Sequence, residues 1–317
     1  MLNQTTSSFG EVILSIDTFL KKNLKTHESL KDYAYYSIGI DRNTPQFPYL
    51  VVYPVSETIS RIYSSGLADI KRVIRFETKT LKPKQDLALN QSIGLTNNVR
   101  LLFAEKKKDA VWKFTNAENK QIVFNAQVSE VRTEDVITLN QGLQATSSVD
   151  ITFFSQIDLT EYSPTNRDIA GNIQLVNISN QKEIIKIVHK LLEDNKAILS
   201  LVRQFKYGVV EPLNFFPAIA VVSELAGTES TFPGMNMYVT YVKIHTYTSL
   251  MGGADAVYQN LDIIDKLRKI IFANKYIFNR CNDYTLGQIE FGISMLGDSL
   301  LFSSIFNITV KSFDSVI

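Results

Sequence analysis

Three histidines, one cysteine and a pair of aspartates are the residues whose chemistry could give this chain an enzymatic or metal site. His27, His189 and His245 lie in different segments, and none has a Cys, His or carboxylate neighbour at metal-ligand spacing. We interpret them as solvent-facing or half-buried residues. Cys281 has no nucleophile motif around it, so a small packed residue is expected there. A single cysteine also excludes an intrachain disulfide and fits a reducing compartment.

Asp262 and Asp265 lie three residues apart, as two carboxylates of an acid–base pair could. Each is followed four residues later by a lysine, Lys266 or Lys269, which predicts a solvated ion-pair face on a helix instead. Gly252-Gly253 could present backbone N–H groups to a phosphate, but neither of the glycine-rich phosphate-binding motifs is present. We therefore expect no catalytic residue, no cofactor-binding residue and no metal ligand.

Three further motifs have simple interpretations. Lys106-Lys107-Lys108 is one short basic patch, which we interpret as a solvated turn. Asn177–Ser179 and Asn307–Thr309 fit the N-glycosylation pattern, but Met1–Ser8 lacks the basic and apolar regions of a secretory signal. We interpret both glycosylation matches as chance.

The composition is that of a soluble globular protein. The chain has 317 residues, of which 45% are hydrophobic and 21% charged, and this length is ample for two domains. Its net charge of +1 carries no global signature of a nucleic-acid binder or a membrane-surface protein. No run approaches the ~20 apolar residues that span a bilayer, so no membrane partner is expected.

The segment Ala254–Ala273 predicts an amphipathic helix around which the rest of the chain can be interpreted. Its apolar stripe has Ile263 and Ile270 at its edges and consists of Val257, Leu261, Ile264, Leu267 and Ile271. The opposite, polar face is predicted to carry Arg268 together with the two Asp–Lys pairs. We expect the stripe to cover a sheet built from Met237–Tyr247, Gln288–Ile293 and Ser303–Val310.

A second copy of this arrangement occurs in the first half of the chain. Subtracting 169 from the residue numbers takes Ile270–Ala273 to Leu101–Ala104 and Pro217 to Pro48. The matching helix is predicted over Asp86–Glu105, with a stripe of Leu89, Ile93, Val99 and Leu102-Phe103. The offset falls from 167 to 157 across the last two strands, so the first copy has about ten extra residues around Ser129–Ala145.

We therefore predict an α+β chain that is a tandem duplication of a helix–strand–strand–helix–strand–strand unit, with helices on a mostly antiparallel or mixed sheet. The predicted domains are residues 1–158 and 181–317, joined by a linker at 159–180. The first domain opens with a helix from Phe9, capped by Ser8 and Glu11. Its strands are predicted at Pro48–Tyr53, Ile70–Thr80, Ala110–Thr115, Lys120–Val128 and Ser147–Phe154, with connections at Thr26–Phe47 and Ile59–Gly66.

The second domain is predicted to open with a helix over Glu183–Asn195. Helical periodicity continues over Ala197–Phe205 and is expected to end at Gly208. A strand at Ala218–Ser223 and a loop at Gly227–Gly234 follow.

The order of elements resembles that of bacteriophage tail terminator and tail completion proteins, and of related head–tail joining or neck proteins. The resemblance is carried by Phe216–Val222, Tyr238–Tyr247, a small-residue turn with Asp255, the helix Leu261–Ile270 and the final strand Ser304–Lys311. It covers Glu183–Phe313 and, less closely, Phe9–Phe154. Typical members of this family carry one such unit, whereas this chain has two.

The resemblance implies a structural virion protein of the tail or neck, assembled in the host cytoplasm. Such proteins form rings, typically of six units, that cap the tail tube and join it to the head connector. Two units per chain imply a homo-oligomeric trimer or hexamer. The implied partners are the tail tube protein and also sheath and neck or connector proteins, with DNA only passing through the lumen. The chain is thus not expected to be an enzyme.

Two alternatives remain. One is a baseplate or sheath-associated adaptor of a phage tail or of a phage-like contractile particle. The other is a soluble enzyme whose site is assembled from residues scattered along the chain. A deep pocket with clustered titratable groups would favour the enzyme, whereas surfaces suited to oligomerisation would favour assembly.

Overall fold

The fold is mixed α+β, with 29% helix and 47% strand in a mostly antiparallel, mixed arrangement, which agrees with the predicted class. The computed structural model describes residues 6–39, 46–104, 114–116, 118–160, 181–208, 213–232, 235–249, 253–274, 283–296 and 299–315. Their contacts divide them into two compact units. Unit 1 comprises residues within 1–62, 68–157 and 250–258, and unit 2 residues within 63–67, 158–249 and 259–317. Most of the predicted linker lies outside the described residues, so the predicted domain limits stay a prediction.

Unit 1 contains two long helices and a sheet. The helices are α1 (Phe9–Asn23) and α2 (Gln85–Ala104). The strands are β1 (Tyr35–Ile38), β2 (Tyr49–Ile62), β3 (Leu67–Lys82), β4 (Asn125–Val128), β5 (Arg132–Thr133), β6 (Ile137–Leu139) and β7 (Gly142–Asp158). The order is β4-β7-β3-β2, with β1 parallel to the start of β2, and β5 and β6 continue β4 along the outer edge of β7.

Both helices of unit 1 pack on the same face of its sheet. The predicted cap of α1 is confirmed, since Ser8 Oγ accepts from the Glu11 N–H at 3.2 Å and Glu11 Oε2 accepts from the Ser8 N–H at 2.7 Å. On α2, the Phe103 ring lies 5.0 Å from that of Phe76 on β3 and 5.7 Å from that of Phe153 on β7. Because side chains alternate along a strand, the neighbours of these phenylalanines point to the opposite face.

The buried face of α2 differs from the predicted stripe. Leu89 and Ile93 are only half-buried, whereas Ser92 and Thr96 are fully buried. The hydroxyl of each lies 2.6 Å from Ser147 Oγ on β7, so their polar atoms are hydrogen-bonded inside the unit. Helical period places both positions on the same face as Val99 and Phe103, but the predicted stripe named only apolar residues. Hydroxyl–hydroxyl contacts allow these small polar residues to face the sheet.

Unit 2 has the helices α3 (Gln181–Glu193) and α4 (Lys196–Leu199) and, from Gln259 onward, the greater part of α5 (Ala254–Ala273). Its strands are β8 (Gln204–Tyr207), β9 (Ala218–Phe232), β10 (Met235–Ser249), β11 (Asp283–Leu296) and β12 (Ser299–Ser315). Their order is β11-β12-β10-β9-β8, and all pairs are antiparallel except that of β8 with β9.

Helix α5 has the predicted bounds and the predicted buried stripe. All seven stripe and edge residues are buried, and the ion pairs Asp262–Lys266 and Asp265–Lys269 both form at 3.2 Å. The prediction for Arg268 was wrong, because this side chain is only 1% exposed. Its Nη1 lies 3.5 Å from Asp265 Oδ1, so a carboxylate one turn earlier accompanies the charge into the buried face.

Four predictions need correction, and strand pairing explains each. The helical continuation over Ala197–Phe205 ends at Leu199, since β8 pairs in parallel with the start of β9. Strand β1 lies inside the predicted connection Thr26–Phe47 and pairs with β2 in the same way. The predicted loop Gly227–Gly234 is strand through Phe232 because β9 pairs with β10 there, and β2 runs to Ile62 along β3.

Several residues considered above lie outside the described part of the chain. They are Lys106, Lys107, Lys108, Asn177, Gly252 and Cys281, together with most of the predicted strand Ala110–Thr115. Thr115 itself forms an isolated antiparallel bridge with Gln121.

The packing of α5 predicts a contrast between two substitutions two residues apart. Ile264 is 1% exposed, so Ile264→Ala should lower the free energy of unfolding by about 2–5 kcal/mol through lost burial and the cavity left behind. Lys266→Ala removes only an exposed partner of Asp262 and should cost less than about 0.5 kcal/mol. Chemical denaturation of both variants measures this difference; equal, small losses would contradict the packing.

Candidate functional site

The three histidines do not form a site. His27 Nδ1 accepts from the Ser29 N–H at 3.2 Å, and its ring meets the edge of Phe19. His189 is 20% exposed and lies 3.4 Å from Glu193, four residues further along α3. The expectation that no histidine has a carboxylate neighbour at metal-ligand spacing was therefore wrong at this position. One carboxylate is not a metal site: among the described residues, no group of three or more His, Cys, Asp or Glu side chains could hold a metal ion.

The strongest concentration of buried charge is an ion pair in unit 1 that the sequence did not indicate. Arg72 on β3 and Glu57 on β2 have side chains 0% and 1% exposed, and Arg72 Nε donates to Glu57 Oε2 at 2.8 Å. The remaining guanidinium donors are also used. Nη1 donates to Ser7 Oγ at 3.0 Å and Ser155 Oγ at 2.6 Å, and Nη2 donates to the Ser7 carbonyl at 2.6 Å.

The Arg72–Glu57 pair and its hydrogen bonds stabilise the fold of unit 1 and are poorly placed for catalysis. Its contacts connect β2, β3 and β7 with the residue before the Ser8 cap, and the guanidinium carbon lies 5.5 Å from the Phe9 ring centroid. A carboxylate already bonded to an arginine in a closed interior is not accessible to a substrate. We therefore assign Arg72 and Glu57 to the fold of unit 1.

A second polar network lies on the face of unit 1's sheet opposite α1 and α2, which we call the open face. Arg75 on β3 makes a bidentate pair with Asp150 on β7, with distances of 2.7 and 2.9 Å. Arg132 approaches the same carboxylate at 3.6 Å. Beside them, Glu77 accepts from Lys79 at 2.9 Å and from the Tyr53 hydroxyl at 2.9 Å.

The pKa shifts on the open face follow from these pairs. Hydrogen bonds to Asp150 raise the pKa of Arg75 above its usual value. Burial alone would lower the pKa of Lys79, but the Glu77 carboxylate raises it overall. Burial, reinforced by Glu77, raises the pKa of Tyr53, which therefore remains a protonated donor. Fixed, mutually neutralised charges of this kind suit contact with another surface better than proton transfer.

Unit 1 also contains an open groove of about 570 Å³ beside α1. Its apolar lining includes Phe19 and Phe114, whose ring centroids are 6.4 Å apart, and the half-exposed Leu14. The titratable side chains on its rim are Glu11, already engaged by the Ser8 N–H, and Lys22. The groove therefore lacks the clustered titratable groups that would favour an enzyme.

The phenols near the start of α5 are equally unsuited to base catalysis. Tyr36 donates to Asp17 Oδ1 at 2.9 Å. Burial, followed by the Asp17 carboxylate, raises the pKa of both Tyr36 and Tyr258 above the usual tyrosine value. Both hydroxyls stay protonated at neutral pH and can only donate or accept hydrogen bonds.

The corresponding surface of unit 2 is aromatic. On β10, the His245 and Tyr247 rings stack with centroids 6.1 Å apart and an angle of 11° between their planes. Tyr241 is exposed on the same side of the strand, and between them Lys243 pairs with Glu224 on β9 at 2.7 Å. This is a second sheet surface on which the charges are already paired.

Comparison with known proteins leaves the family open. The sequence matches no protein-family model, and a search of curated proteins finds no significant match. Within the described residues, no helix is both long and apolar enough to cross a membrane. The function must therefore be inferred from the geometry of the chain itself.

The buried pair predicts a strongly non-additive mutational cycle. Arg72→Met leaves Glu57 as an uncompensated buried charge and should destabilise the protein by about 3–5 kcal/mol. The double variant Arg72→Met/Glu57→Leu removes both charges and should regain at least half of that loss. Chemical denaturation of the two single variants and the double variant measures the coupling; additive losses would show that the two charges do not depend on each other.

His245 predicts a pH dependence of stability. Burial, and next the Lys243 ammonium, lowers the pKa of His245, while Glu224 acts in the opposite direction. The unfolded chain therefore takes up this proton at a higher pH than the folded chain, so stability present above the ordinary pKa is lost as the pH falls. Between about pH 7 and about pH 5, the free energy of unfolding should fall less in His245→Gln than in wild type.

Lys243→Met is the companion variant, because it removes the second cause of the shift and leaves the ring in place. Its loss of stability over the same pH range should lie between those of wild type and His245→Gln. Urea denaturation at the two pH values gives all three numbers. Identical losses in all three proteins would mean that His245 does not contribute.

Proposed function

We propose that this chain is a structural protein of a tailed phage or a phage-like particle. It forms a homo-oligomeric ring that caps the tail tube and joins it to the head connector, and it acts by assembly rather than catalysis. The observation that carries the proposal is the repetition, in units 1 and 2, of one order of elements with matching backbone hydrogen bonds.

The repetition can be followed bond by bond at the parallel strand of each unit. In unit 1, Tyr35 is paired with Tyr49 and the Gly39 N–H donates to the Val52 carbonyl at 2.7 Å. In unit 2, Gln204 is paired with Ala218 and the Gly208 N–H donates to the Val221 carbonyl at 2.9 Å. Each residue of the second set stands 169 positions after its counterpart, the offset found in the sequence.

The longer elements keep the same correspondence. Helices α2 and α5 both have 20 residues, and their first residues, Gln85 and Ala254, are again 169 apart. The strand orders β7-β3-β2-β1 and β12-β10-β9-β8 are equivalent, with β4 and β11 on the outer side of the last strand of each unit. These matches support a tandem duplication of one α+β unit.

A duplicated subunit suits a ring on a tail tube. Closed rings arise when two different patches of one subunit meet head to tail and the rotation closes. Two equivalent units per chain present six units in a trimer or twelve in a hexamer. The proposed neighbours are the tail tube protein on one side and connector, neck or sheath proteins on the other. The net charge of +1 and the paired cations of the open face favour DNA passing through the lumen without adhering.

The sites described above are poorly suited to catalysis, which also supports a structural role. The carboxylates of the open face are paired with arginine and lysine, and the phenols of Tyr36 and Tyr258 are protonated at neutral pH. The groove beside α1 lacks clustered titratable groups. These features are typical of a protein whose polar groups organise surfaces.

Negative-stain electron microscopy of the purified chain, with its mass from light scattering after size exclusion, tests the proposal. We expect rings with a central hole and a mass three or six times that of the chain. Added to purified tail tubes, the rings should appear at tube ends and not along the shaft. A protein that remains monomeric at every concentration, or that decorates the shaft, would contradict the proposal.

A further inference from the structure

The two units end in open sheet edges of different kinds. Among the described residues of unit 1, the strands that cover the outer edge of β7 are the short β4, β5 and β6, and the three residues of β6 are all exposed. In unit 2, β8 covers β9 only from Ala218 to Val221. From Glu224 to Phe232, the edge of β9 that faces away from β10 has no strand partner among the described residues.

The β6 edge carries apolar side chains in the open. Ile137 is 54% exposed and Leu139 is 41% exposed. Since they are two residues apart on one strand, both side chains point to the same side. Strand β6 forms a hairpin with β7, in which Leu139 is paired with Gly142, so the two side chains are presented next to a tight turn.

The edge formed by β8 and β9 also carries exposed apolar side chains. Tyr207 at the end of β8 is 50% exposed, and Phe215 is 62% exposed. Phe215 is held beside β8 because its N–H and that of Asn214 donate to Gln204 Oε1 at 3.1 and 2.9 Å. Natural edge strands are usually blocked by Lys, Pro or bulges. Strand β9 contains no Lys, Arg or Pro, whereas β8 contains Lys206. The register of β9 with β10 shifts at two places, between Phe232 and Ser230 and between Gly227 and Leu225.

We propose that the β6 edge of one copy pairs with the β8–β9 edge of the next copy, so that Ile137 and Leu139 pack against Tyr207 and Phe215. This proposal rests on the ring proposed above and names its contact. A second copy fits this contact because every chain carries both edges. Each edge has an extended backbone that a further strand can pair with and exposed apolar side chains that a partner can cover. Two different edges meeting head to tail give the heterologous contact from which closed rings are built.

Three double variants with the same added charge separate the possibilities. Ile137→Lys/Leu139→Lys blocks the β6 edge, and Tyr207→Lys/Phe215→Lys blocks the β8–β9 edge. Leu87→Lys/Leu101→Lys is the matched control, because both leucines are half-exposed on α2 and belong to neither edge strand. Thermal melting establishes that each variant folds; if Tyr207→Lys/Phe215→Lys melts early through loss of the Tyr207–His189 ring contact, Phe215→Lys alone replaces it.

Each edge variant should be monomeric where wild type is a ring, with self-association weakened at least about tenfold, while the control keeps the ring. A mixture of the two edge variants should form a dimer and nothing larger, since it contains one intact pair of edges. Sedimentation velocity measures all five samples: wild type, the two edge variants, the control and the mixture. Rings that persist in both variants, or a mixture without dimers, would overturn the edge pairing and leave the proposed ring intact. A wild-type chain that never associates would overturn the ring itself.

Discussion

The buried contact between Arg72 and Glu57 is the constraint on which unit 1 depends. A guanidinium at 0% exposure is tolerated only if its charge is matched and its donors are used, and here β2 supplies the carboxylate, β7 a serine and the segment before α1 a carbonyl. These partners are far apart in sequence, so the charge is satisfied only when three strands and the start of α1 are in place together. The Phe76–Phe103–Phe153 cluster packs α2 on the same face of the sheet as Arg72. Arg75 and Asp150 therefore lie on the opposite, open face.

Unit 2 solves the equivalent packing problem with less polarity in its sheet. Its buried cation, Arg268, lies on a helix, and one of its carboxylate partners, Asp265, belongs to the same helix. Its sheet core is contributed by side chains such as Ile244, Phe302 and Phe306, all at 0% exposure. A local ion pair forms whenever the helix forms, whereas a long-range pair also specifies how strands meet. The two units can thus share one order of elements while depending on different interactions.

Sequence reasoning succeeded where local rules decide the outcome. The bounds of α5, its buried stripe and the Ser8–Glu11 cap follow from helical period and capping chemistry within a few residues. It failed where long-range pairing decides: Phe205 has a helical neighbourhood but lies in a strand because β9 offers a parallel partner. Ser92 is polar and was not predicted to be buried, but Ser147 supplies a hydrogen-bond partner inside the unit. No local pattern marks Arg72 as buried, because its partners stand 15, 65 and 83 residues away.

The residues that distinguish unit 1 from unit 2 include those of the contact proposed between copies. Ser129–Ala145, the insertion inferred from the drift in offset, contains β5 and β6, and these lie on the outer edge of β7 without extending the core. In unit 2, by contrast, the 14-residue strand β11 pairs along the last strand of the unit. The insertion therefore gives unit 1 a short, apolar outer edge that differs from the corresponding edge of unit 2. In the contact proposed above, two different edges meet head to tail, and such a heterologous contact closes into a ring only if its rotation returns on itself.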